Sequence, residues 1–155
     1  MTRHLEGIKV LDITSVVLGP FASQILGDLG ADVIKVEPLQ GDITRAASPT
    51  RNPAMGAMYL NLNRNKRSIA LDLKSEAGRA VLKRLIEQSD VLFHNMRPGA
   101  VKRLGFEADA ARAINPRLIY CAAYGFSEEG RYAGRAAYDD TIQAAAGLAA
   151  AQGMD

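Results

Sequence analysis

Apolar positions at Ile8, Val10, Leu11 and Ile13 mark a first strand, after which the period of the pattern changes. From Gly19-Pro20 it recurs at Phe21, Ile25, Leu26 and Leu29, predicting a helix with proline in its first turn and Gly30 at its end. Val33, Ile34 and Val36 predict a second strand, so the chain opens with a βαβ unit, for which a parallel pair and a right-handed crossover are expected. Residues 39–58 follow neither period and hold Gly41, Pro49, Pro53 and Gly56. An unstructured loop of that length is uncommon unless it is functional or held by a partner. Ile69, Leu71 and Leu73 alternate as a third strand over 68–73, and Ser75 is placed to cap a helix whose face carries Val81, Leu82, Leu85 and Ile86. Val91 to Phe93 reads as a strand buried on both faces. Short helices at 100–104 and 108–114, a stop at Asn115-Pro116 and a strand at 118–122 follow. Residues 125–134 read as loop, and 141–151 as one alanine-rich helix whose low bulk predicts close packing.

The alternation of strands and helices predicts an α/β fold, an open and mostly parallel Rossmann-like sheet flanked by helices. A length of 155 residues suits one domain spanning 1–155, and no repeat or linker divides it. The net charge of +2 is too small to recruit nucleic acid through a general field, so any anion site must be local. The lone Cys121 cannot form an internal disulfide, and no apolar run has the length of a membrane span or the form of an N-terminal signal peptide. These features predict a cytoplasmic protein with neither membrane nor nucleic acid as partner. Cys121, inside the apolar run 118–123, reads as a small core residue. His4 and His94, with one cysteine, do not give zinc-ligand spacing, and His94 reads as structural or solvated.

Chemistry concentrates where the strand at Val91 empties into the basic loop Asn95-Met-Arg-Pro-Gly and a short helix carrying Arg103. Open parallel sheets hold ligands beyond such strand ends, so Asn95, Arg97 and Arg103 are expected to face one. Arg64, Lys66, Arg67 and Lys74 bracket the third strand and suit either phosphate or a solvated basic turn. Glu37 stands where a dinucleotide-binding domain keeps its ribose-binding acid. The chain after the first strand reads Thr14-Ser-Val-Val-Leu-Gly-Pro20, however, and lacks the G-x-G-x-x-G that brings backbone to a pyrophosphate. Gly19-Pro20 reads instead as a structural turn.

Three runs in order, Gly30-Ala-Asp-Val-Ile-Lys-Val-Glu37, Asn65-Lys-Arg-Ser-Ile-Ala-Leu-Asp-Leu-Lys74 and the stretch from Asp90 to Phe106, resemble the family III CoA-transferases. That family includes formyl-CoA transferase, carnitine CoA-transferase and α-methylacyl-CoA racemase. The resemblance extends from Leu5-Glu-Gly-Ile-Lys-Val-Leu-Asp12 to Tyr138-Asp-Asp-Thr-Ile-Gln-Ala-Ala-Ala-Gly147 and implies the amino-terminal part of the family's large domain. It implies coenzyme A or an acyl-CoA as substrate, with no tightly bound cofactor, a carboxylic acid as acceptor and an interlaced homodimer. The positions matching its CoA contacts are Leu71, Lys74, Asn95, Met96, Arg97, Arg103 and Tyr138. Val17 and Pro38 replace a glutamine and an arginine of formyl-CoA transferase. Since Val17 cannot hydrogen-bond a small carboxylate, a larger or more apolar acyl group is expected.

The family's nucleophile is an aspartate that becomes an aspartyl-CoA thioester, and the match puts it beyond residue 155, with Asp155 aligned to a loop acid. No catalytic residue is therefore assigned here, and the chain alone is expected to be inactive. Asp139 and Asp140 match the segment before the Gln143 helix, where they could cap it or touch CoA. A racemase reading would need a base where Tyr138 stands, and a phenol is a poor base at neutral pH. A third reading is a stand-alone CoA-binding or interaction module.

Overall fold

The computed structural model describes residues 3–47 and 50–153, leaving Pro49 and Asp155 outside the described residues. Two compact units divide the chain, 1–123 and 124–155. The first carries five parallel strands, β1 (Lys9–Ile13), β2 (Asp32–Glu37), β3 (Lys66–Ala70), β4 (Val91–His94) and β5 (Ile119–Ala122), in the spatial order β3-β2-β1-β4-β5. The order reverses between β1 and β4, leaving β1 central with a crevice beyond its carboxyl end. The open parallel α/β sheet is as the hydrophobic pattern predicts.

Helices α3 (Glu76–Glu87), α4 (Pro98–Leu104) and α5 (Ala108–Ile114) bury one face of the sheet. Leu11, Val36, Leu82, Ile86, Leu92, Val101, Phe106, Ala111 and Leu118 form that core. Local chemistry fixes the helix ends. Ser75 Oγ accepts the Gly78 N–H at 3.0 Å, the expected cap of α3. At the other end of α3, Asn115 Nδ2 donates to the Ile86 and Ser89 carbonyls. Gly105, at φ 72°, closes α4, and the Phe106 N–H returns to the Val101 carbonyl at 3.3 Å, so the two apolar side chains meet in the core. This stop fixes the last turn of α4, which carries Arg103.

The other face is built differently. Helix α1 (Leu18–Asp28) turns Gly19, Pro20, Ser23, Gln24 and Gly27 inward, while Leu18, Phe21, Ile25 and Leu29 form an exposed apolar stripe. The polarity is inverted because the sheet face beneath α1 carries Asp12 and, from β3, Lys66. Lys66 Nζ donates to Asp12 Oδ2 at 3.0 Å and also reaches the Pro20 carbonyl, Ser23 and Asn63. Gly19 is a close-approach glycine, since a Cβ there would lie 2.3 Å from Thr14 Cβ.

Several expectations are corrected. β3 ends at Ala70, because the Leu71 N–H makes its last ladder bond to the Glu37 carbonyl and the chain then turns at Asp72. Leu71 and Leu73 keep the alternation by packing on the core from the loop. Within 39–58 there is a short 3-10 helix at Ile43–Arg45, capped by Asp42, and α2 (Ala57–Leu62) begins. Cys121 is exposed, not a core residue, because β5 is an edge strand whose Ile119 and Cys121 point away from the covered face.

In the second unit, the expected single helix is two, α6 (Asp139–Ala145) and α7 (Leu148–Gln152), broken at Gly147 with φ 76°. Neither has a buried residue, so the close packing expected of its alanines is not found. Asp139 and Asp140 lie in the first turn of α6, where negative charge favours the helix dipole, and Asp139 accepts from Gln143 Nε2 at 2.8 Å. No helix among the described residues is long and apolar enough to cross a membrane.

Candidate functional site

A cleft of about 1020 Å³ opens beyond the carboxyl ends of β1 to β4. Thr14 and Ser15 line it after β1, residues 38–43 after β2, Leu71 to Lys74 after β3, and Met96, Ala100, Arg103 and Leu104 after β4. Lys74, Arg79 and Arg103 supply cationic side chains, and Leu71, Leu73, Met96 and Leu104 supply apolar surface. Such a lining suits a ligand with an anionic part and an apolar part.

Four of the seven expected contacts, Leu71, Lys74, Met96 and Arg103, line this cleft. Asn95 instead spends its amide on the backbone of Ser15, accepting from its N–H at 3.0 Å and donating to its carbonyl at 2.9 Å. Arg97 is an exposed residue preceding α4 and is not among the lining. Tyr138 belongs to the second unit, where it precedes α6 and is exposed. Of the basic residues around β3, only Lys74 lines the cleft. Arg64 pairs with Asp28 at 2.6 Å, Arg67 with Asp32 at 2.7 Å, and Lys66 is buried on Asp12.

Sequence reasoning missed the floor of the cleft. Lys35 and Asp42 pair at 3.0 Å with both side chains only 1% exposed, and Lys35 Nζ also donates to the Thr14 carbonyl at 2.8 Å. Hydrogen bonds from Thr44, then Lys35, hold the Asp42 pKa below its ordinary value against the opposing effect of burial. Glu37 is fully engaged, taking Arg45 in two bonds at 2.7 Å, the Tyr59 hydroxyl, the Ser68 hydroxyl and the Asp42 N–H. It is therefore not the free acid a ribose would require. Lys35 on a strand read as apolar, with Asp42 seven residues on, was the available signal. Arg79 was missed too. It lies one turn after the Ser75 cap, and its Nη1 donates to the Lys74 carbonyl at 2.7 Å.

His94 is buried, its Nε2 lies 2.8 Å from the Tyr120 hydroxyl, and its ring meets Tyr120 edge-on. That fits a structural histidine. No group of three or more His, Cys, Asp or Glu among the described residues is placed to hold a metal ion.

Two of these groups predict acid sensitivity. Burial pulls His94 from 6.5 to about 4, so as pH falls through that window the unfolded chain binds a proton the folded chain refuses. Burial would raise Glu37, but hydrogen bonds from Arg45, Ser68 and Tyr59 win and lower it from 4.5 to about 2, so its contribution is lost as pH falls between those values. Each shift amounts to about 3 kcal/mol, lost for His94 first and for Glu37 below it. Urea melts at pH 7, 5 and 3 check this, and a midpoint that stays level from pH 7 to 4 would contradict it.

CoA-transferase family III matches residues 5–155 of the chain. The chain is 45% identical over 155 residues to a formyl-CoA:oxalate CoA-transferase of Streptomyces avermitilis, covering 100% of this chain and 38% of that protein. It is 44% identical over 157 residues to the Escherichia coli protein of the same name, covering 99% and 37%. Among solved structures it is similar to a CAIB/BAIF family protein from Brucella suis, with a TM-score of 0.90, 40% identity, and coverage of 96% of this chain and 40% of that one. A hypothetical protein of Mycobacterium tuberculosis, Rv3272, matches with a TM-score of 0.87 and 37% identity, covering 95% and 41%. The chain thus spans about two fifths of the length of these relatives.

Proposed function

The chain belongs to CoA-transferase family III, and from that premise we propose that it is the amino-terminal, CoA-binding part of an acyl-CoA:carboxylate CoA-transferase. The observation that carries the reading is the cleft, where Lys74, Arg79 and Arg103 converge beyond the strand ends beside Leu71 and Met96. Coenzyme A carries a pyrophosphate and a ribose phosphate at one end and a thin, largely apolar arm at the other. Guanidinium and ammonium groups meet the former, and the leucine and methionine meet the latter. The acyl group is larger or more apolar than oxalate or formate, because the Val17 side chain offers no hydrogen bond to a small carboxylate.

Transfer would run through an aspartate supplied by a longer protein. Its carboxylate attacks the thioester carbonyl to give a mixed anhydride and release CoA thiolate. The thiolate then attacks the aspartyl carbonyl, giving an aspartyl-CoA thioester and freeing the first acid. The longer protein is proposed to be a homodimer, which the outward apolar stripe of α1 supports, since soluble monomers rarely leave such a stripe uncovered.

Incubating the longer protein with acyl-CoA and hydroxylamine should leave a hydroxamate on an aspartate beyond residue 155, while these 155 residues alone turn over nothing. The same protein should sediment as a dimer. An adduct on Asp139, Asp140 or Asp155, or turnover by the 155-residue chain, would place the nucleophile inside it and overturn the proposal.

A further inference from the structure

Val16 sits just past β1 with φ 71°, a left-handed conformation that a β-branched residue adopts only under constraint. The constraint is visible. The three successive N–H groups of Thr14, Ser15 and Val16 go to three different side chains: Asp12 Oδ1 at 2.8 Å, Asn95 Oδ1 at 3.0 Å and Asp42 Oδ2 at a longer 3.4 Å. The carbonyls are held as well, Thr14 O by Lys35 Nζ at 2.8 Å and Ser15 O by Asn95 Nδ2 at 2.9 Å. These partners come from β1, β2, the loop after β2 and the residue after β4. The turn is thus tied to each strand that flanks it.

We infer that Asn95 is a positioning residue that, with the buried Lys35–Asp42 pair, locks the strained turn Thr14–Val16 as a rigid wall at the centre of the cleft. The inference rests on the proposed CoA site. Within that site, Lys74 and Arg79 follow β3 and Arg103 follows β4, whereas the turn follows the central strand and carries no cation. The phosphates belong with the cations, so the turn meets the uncharged thioester end. Both atoms of the Asn95 amide already bond to Ser15, so its influence on a ligand is exerted through that backbone. A wall that orients the reacting end governs turnover more than binding, because misplacing that end by an ångström costs rate while the phosphate contacts persist.

The test uses Asn95→Ala in the longer protein and in the 155-residue chain. In the longer protein kcat should fall about 10- to 100-fold with KM for acyl-CoA nearly unchanged. Adding Val16→Gly should recover part of the loss, since glycine takes the left-handed conformation without being forced. In the short chain, exchange at the Ser15 amide should speed up roughly tenfold or more while Leu11 and Leu92 in the sheet stay protected. Should Asn95→Ala unfold the sheet, Asn95→Asp, which keeps the acceptor for the Ser15 N–H, takes its place. A loss confined to KM would make Asn95 a direct CoA contact and overturn the inference, as would unchanged kinetics or no recovery with Val16→Gly. If the longer protein transfers no CoA at all, the functional proposal fails, and the exchange measurement alone then decides whether the clamp exists.

Discussion

Replacing Asp42 by alanine is expected to remove about 3–5 kcal/mol of stability, because it leaves the Lys35 ammonium buried without its counter-ion. Domains of this size have roughly 5–15 kcal/mol in total, so the variant should be barely folded at room temperature. The Thr44 N–H and hydroxyl, which bond to the same carboxylate, lose their acceptor as well, releasing the 3-10 helix that forms one wall of the cleft. Adding Lys35→Met should restore much of the loss, since removing both charges removes the uncompensated one. Urea unfolding of the single and double variants measures this. A cost below about 1 kcal/mol for Asp42→Ala would show that the pair is solvated, contrary to the geometry.

The second large effect concerns the ligand. Arg103→Ala is expected to weaken CoA binding by about 1.5–3 kcal/mol if its guanidinium makes a charge-assisted phosphate contact, and Lys74→Ala by a similar amount. Together they should cost roughly two to four orders of magnitude in affinity in the longer protein, measured by calorimetry. Arg64→Ala and Arg67→Ala serve as controls, since both guanidinium groups are committed to Asp28 and Asp32 outside the cleft. Equal losses from all four substitutions would mean that only general charge matters, and that the cleft selects nothing.

The strands and most helices were legible because each buries a periodic apolar face. Ser75 and the Asn115-Pro116 stop were legible because capping chemistry is local. Helix α1 was legible too, but the direction its apolar stripe faces was not. Its apolar stripe has ordinary helical spacing, and nothing within the helix says that the sheet beneath it is polar. The fault lies in a tertiary fact, the placement of Lys66 from β3 under α1 beside Asp12. For the same reason Lys66, which suited either phosphate or a solvated basic turn, is instead a buried ion-pair partner. Leu71 and Leu73 extended an alternating pattern past the end of β3, since a loop packed on a core shows the same alternation as a strand. In the candidate site, four of seven contacts line the cleft: Arg103 was legible from its place beyond a strand end and Lys74 as one of the basic residues around the third strand, whereas Leu71 and Met96 came from the resemblance alone. Lys35 and Asp42 left a trace in the sequence, a lysine on an apolar strand and an acid seven residues on, but their pairing under the cleft is a tertiary fact.

The central claim is that coenzyme A lies in the cleft beyond β1 to β4. Titrating the isotope-labelled 155-residue chain with CoA and following backbone amide shifts by NMR tests it most directly, because weak binding suffices. Shifts should concentrate at Ser15, Gly41, Leu71, Lys74, Met96 and Arg103, and dephospho-CoA should reproduce them with weaker affinity. Shifts centred on Arg64 and Arg67, or none at millimolar CoA, would contradict it.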